Sequence, residues 1–148
     1  MGICKKKQLS EVEAAGQFVL TICRDVQQQW PQIVEDLKWV SVHALPKDQF
    51  AAYEFTLAVI AVQIQALPNL FPIQQATRLR EYILRCISLS ELGSYSRDIM
   101  QEYQNVWDES LQRLEIPLHG IAATLFDRLG CQRYMEFQGM TFKSPIFL

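Results

Sequence analysis

Histidine is scarce in this sequence: only His43 and His119 occur in 148 residues. Neither stands in an H-E-x-x-H or Glu-x-x-His pattern, so the zinc and di-iron arrangements that need those spacings are excluded. The four cysteines, Cys4, Cys23, Cys86 and Cys131, form no C-x-x-C pair, which removes zinc knuckles and dithiol redox motifs. They read as free thiols in a reducing compartment. Cys23 and Cys86 fall on apolar stripes, where a thiol stays protonated and inert, so no cysteine nucleophile is expected. The six glycines never fall into G-x-G-x-x-G or a Walker pattern, and nucleotide binding has no support. No cofactor is expected.

A basic surplus is also missing. Fourteen Lys and Arg stand against sixteen Asp and Glu, a formal net charge of −2, so general nucleic-acid binding is not expected. Arg78, Arg80 and Arg85 are the densest cationic group, but Arg80 points away from the other two on a helical wheel, and the reading is a solvated face. The start, MGICKKKQLSE, has no apolar stretch behind its lysines and is not a secretory signal. Gly2, Cys4 and the lysines resemble a doubly lipidated start, although Lys6 stands where that pattern wants Ser or Thr. Residues 1–9 are expected to be a flexible arm.

What is present is apolar. Hydrophobic residues make up 49% and charged residues 20%, close to ordinary globular usage, and the length suits one domain spanning 1–148. Helical spacing dominates. Ser10 and Glu13 form a capping box, and Val12, Ala15, Val19, Cys23, Val26 and Trp30 then recur on one face. Pro31 predicts a kink or restart, with a second piece reaching about Trp39. Asp48 would cap a helix over 48–67 that Pro68 ends. Its run from Phe55 to Val62 is broken only by Thr56 and falls short of the ~20 apolar residues of a membrane span, so no transmembrane segment is expected. Apolar on two flanks, it belongs at the centre of a bundle or across an oligomer interface.

Beyond "LPNLFP", Pro72 begins a helix with Ile73, Ala76, Leu79, Ile83, Cys86 and Ile87 inward and Glu81 paired with Arg85 outside. A helix from about Ser96 to Leu114 turns Ile99, Tyr103, Val106, Trp107, Leu111 and Leu114 inward. Its carboxylates Asp98, Glu102 and Glu109 share a surface with Asn105 and Gln112, which reads as plain solvation. Pro117 opens a last helix and Gly130 supplies a left-handed C′ residue. The tail, residues 131–148, alternates Met135, Phe137, Met140 and Phe142 with polar residues across Gly139, and ends on Ile146, Phe147 and Leu148. It reads as irregular or hairpin-like.

The expected architecture is therefore all-α, a bundle of about five or six helices with that tail. The sequence points to a non-catalytic cytoplasmic interaction or oligomerisation module, partnered by itself or by another protein, with Phe137, Met140, Phe142, Ile146, Phe147 and Leu148 as interface. The tail is expected to dock, preferably across chains. One alternative is a ligand-binding bundle or small enzyme with a pocket beside the helix at 48–67, using Glu54 with Tyr53, Tyr82 or Trp107. Glu54 itself is expected to reach solvent from near the helix start, or else, if buried, to need a cation. A second alternative is membrane-surface attachment through a lipidated N-terminus.

Overall fold

The computed structural model describes residues 9–37, 49–90, 92–93 and 96–130, and among them are five helices and no strand. These are α1 (Glu11–Leu37), α2 (Gln49–Leu70), α3 (Ile73–Leu89), α4 (Ser96–Gln112) and α5 (Pro117–Arg128). The all-α reading holds. The arm before Leu9, Asp48, Cys4, Cys131, His43 and the tail with its six interface candidates lie outside the described residues.

The Ser10 hydroxyl accepts the Glu13 N–H at 3.2 Å, fixing the start of α1 as the capping box implies. Of the proline expectations, a restart at Pro31 is overturned, since α1 runs on through it to Leu37, and so is the end at Pro68, which lies inside α2. A proline inside a helix costs about 3 kcal/mol. Trp30 and Val34 are buried on the two sides of Pro31, each contributing about 1.5–3 kcal/mol or more of burial, which offsets that loss. At Pro68 the neighbouring Leu67 is buried, and its carbonyl accepts the Phe71 N–H at 3.0 Å, carrying the helix past the ring.

Continued past Pro68, α2 is longer than the apolar run alone implies. Phe50–Leu70 is long and apolar enough to cross a membrane by length and composition alone. Its place in the fold is central, for α2 packs against each of the other four helices. Ala51, Leu57, Ala58, Ile60, Ala61 and Ile64 are all buried, and the alanines let neighbours approach closely.

Around α2 the packing runs α1 on α3, α3 on α4 and α4 on α5, but α5 does not reach α1. The ring of helices is open there. Glu11 meets Arg78 and Gly16 faces Cys86, so α1 and α3 run parallel. Where α4 and α5 meet, Gly120 has no room for a side chain: a Cβ there would lie 2.8 Å from Ser110 Oγ and 2.9 Å from Val106 Cγ1. The surface pairing of α3 also differs from expectation. Glu81 reaches Arg97 of α4 at 3.2 Å instead of pairing with Arg85 on its own helix.

The end of α4 corrects a further expectation. Leu111 and Leu114 do not face inward; they are 54% and 95% exposed. The Leu114 N–H donates to Leu111 and the Glu115 N–H to Ser110, a Schellman closure with Leu114 in the left-handed C′ position at φ 58°. Left-handed backbone costs an L-residue about 1–2 kcal/mol. Leu114→Gly is therefore expected to raise stability by about 0.5–1 kcal/mol, read as a higher urea midpoint, whereas Leu114→Ala should give no such gain.

Candidate functional site

Glu54 is the only acidic residue among the buried side chains described, at 2% exposure. It does not reach solvent, contrary to the first expectation for it. Its position on α2 turns it toward α5, where Arg128 approaches from the last turn. Nε and Nη2 of Arg128 donate to the two Glu54 oxygens at 2.7 and 2.9 Å, and Nη1 donates to Glu102 of α4 at 3.1 Å. One guanidinium thus ties together three helices. The paired geometry matches the rigid fork of arginine to a carboxylate, the strongest form of such a bond. The hydrogen bonding to the Glu54 carboxylate pushes the Arg128 pKa further up, so the cation is permanent.

Tyr103 of α4 lies within this field. Its ring is buried at 1% exposure, and its hydroxyl has no hydrogen-bond partner among the described residues. Burial, followed by the charge of Glu54, pushes the phenol above its ordinary value near 10. The phenol of an unfolded chain ionises as pH passes about 10, while the folded one stays protonated, so stability falls as pH rises above that value. Tyr103→Phe should keep or raise stability at pH 7, since no bond is lost. It should also flatten the alkaline fall in a series of urea midpoints taken between pH 8 and 11.

The structure distributes the four pocket candidates over three helices. Tyr53 and Glu54 are neighbours on α2, Tyr82 is half-buried on α3 and Trp107 half-buried on α4. Both Glu54 oxygens are occupied by Arg128. A groove of about 640 Å³ lies in the gap of the helix ring. Its floor is the face of α2 that carries Phe55, Val59 and Gln63, and its far wall is the α1 face with Phe18, Ile22, Val26 and Ile33. A second volume of about 260 Å³ continues across the same Phe55, Val59 and Gln63 to the α5 wall of Leu118, Ile121 and Leu125. Together they form one trough among the described residues, joined along Phe55, Val59 and Gln63.

The trough is apolar at its base and polar at its rim. Gln17, Gln29 and Gln63 stand along it, and Asp25 is the one charged residue among those lining it. Trp30 packs on Phe55 with ring centroids 5.8 Å apart and anchors one end. Among the described residues no group of three His, Cys, Asp or Glu side chains could hold a metal ion. Cys23 and Cys86 are half-buried.

Sequence reasoning expected a pocket beside the helix at 48–67 but did not name the residues that line this trough. A signal is present in α1, where Phe18, Ile22 and Ile33 form a second apolar strip beside the Ala15, Val19, Val26 and Trp30 strip, more than one contact face requires. No family model, no curated protein and no solved structure matches the chain.

Proposed function

We propose that this protein is a non-catalytic interaction module and that the trough between α1 and α5 receives an apolar polypeptide segment. The observation that carries the reading is the open helix ring, which leaves a continuous apolar floor on the central helix. A small-molecule site would bring a few polar groups to a point; here the amides of Gln17, Gln29 and Gln63, with Thr21 and Asp25, are spaced along the trough, suited to the N–H and C=O groups of a passing backbone. The Glu54 carboxylate, which the alternative of a small enzyme would use, is held by Arg128, and this weighs against that alternative.

The reading takes α2 as a core helix of a water-soluble bundle, supported by its packing against four neighbours and by the buried ion pair it carries. A cytoplasmic setting is part of the proposal and rests on the scattered spacing of the four cysteines, which suggests no disulfide framework. Native mass spectrometry of the protein purified from its own cell tests the reading. The expected result is a complex in which a second polypeptide is bound and is lost when Val59→Arg places a charge on the trough floor, with helical content unchanged. A bound small molecule, or a polypeptide whose retention ignores Val59→Arg, would overturn it.

A further inference from the structure

Two of the described arginines are drawn back from solvent, Arg80 of α3 and Arg128 of α5. Arg128 is held by Glu54 and Glu102. Arg80, by contrast, has no hydrogen-bond or ion-pair partner among the described residues. Its neighbours Arg78 and Arg85 are exposed, whereas Arg80 turns into the junction of α2, α3 and α4, where Ala61, Leu84 and Met100 lie beside it. From there it lines a groove of about 340 Å³ and is the one charged residue that does so.

The rest of the groove is apolar apart from Thr77 and two amides. Ile64 and Leu67 of α2 and Ala76 of α3 are buried in it, and Pro68 and Ile73, both exposed, complete the apolar lining. Gln65 Nε2 donates to Gln104 Oε1 at 2.6 Å, and Gln104 Nε2 donates to Asp108 at 3.0 Å. Asp108 is thereby engaged by an amide and does not line the groove. The Gln65 carbonyl oxygen is left as an open acceptor among the described residues.

From these groups we infer that the groove binds the carboxyl-terminal residue of a partner polypeptide, one whose last side chain is apolar. In such a residue a carboxylate, an amide N–H and a side chain all radiate from one Cα. The groove holds a complement for each. The fork of Arg80 matches a carboxylate, the Gln65 oxygen accepts the N–H, and Ile64, Leu67 and Ala76 take the side chain. An Asp or Glu side chain would bring the carboxylate with no apolar group on the same carbon. A phosphate would bring a second charge to a groove lined by a single cation. None of the residues lining this groove lines the trough between α1 and α5, so the two sites stand or fall separately.

The test titrates N-acetyl-Gly-Ala-Leu, and the same peptide ending in a carboxamide, into the isotopically labelled full chain and follows amide chemical shifts. The free acid is expected to shift Gln65, Thr77, Arg80 and Gln104, and the carboxamide to bind about tenfold or more weakly, as the loss of a charged hydrogen-bonded pair implies. Arg80→Gln should weaken the acid by the same factor and leave the carboxamide unchanged. Ile73→Asp, at an exposed position of the lining, should also weaken the acid, so that one disruptive variant does not decide the outcome. Isocaproate, which has the carboxylate and apolar body without the N–H, should bind about fivefold more weakly than the peptide. Equal binding of acid and carboxamide, indifference to both variants, isocaproate as tight as the peptide, or no shift at those four residues would overturn the inference.

Discussion

Arg128→Ala is expected to destabilise the protein by about 3–5 kcal/mol, because it leaves the Glu54 carboxylate buried without its cation. For a chain of this length that corresponds to a fall in Tm on the order of 10 °C. The effect is not the worth of the ion pair itself. Bringing Glu54 and Arg128 out of water is costly, and their attraction roughly repays it. The double variant Glu54→Leu, Arg128→Met should therefore recover most of the lost stability, or exceed the parent, when urea midpoints are compared. A double variant as unstable as Arg128→Ala alone would mean that the pair contributes through its tie to Glu102 rather than by neutralising Glu54.

The second large effect is expected at the centre of α2. Ile60 is fully buried and Leu57 is 2% exposed, on a helix packed by four others. Cutting either to alanine leaves a void that close-packed neighbours fill only in part, and the expected cost is about 2–5 kcal/mol by urea unfolding. Val59→Ala, on the open side of the same helix, should cost less than about 1.5 kcal/mol because its site is already part of the trough. Equal losses at Ile60 and Val59 would contradict an open face on α2.

Local signals make the fold readable. Ser10 with Glu13, Pro117 at a first turn, Gly130 after a last turn and apolar residues at helical spacing are each set by a few neighbouring residues. The failures share a cause. The backbone donor that Pro31 and Pro68 lack predicts a break at each, whereas burial of Trp30, Val34 and Leu67 decides the outcome. Leu114 takes a left-handed position that glycine would have announced. Glu54 and Arg128 stand 74 residues apart, and no periodicity links them. The trough is the least legible of all, because it exists only through the absence of contact between α5 and α1, a property of five helices together.

The most direct test of that trough places p-benzoylphenylalanine at Val59 on its floor, in the full-length protein inside its own cell, and identifies what light joins to it. The account predicts adducts to polypeptide alone, diminished at least fivefold by Leu118→Asp on the α5 wall. Adducts to a lipid or another small molecule, or a floor that joins to nothing, would contradict it.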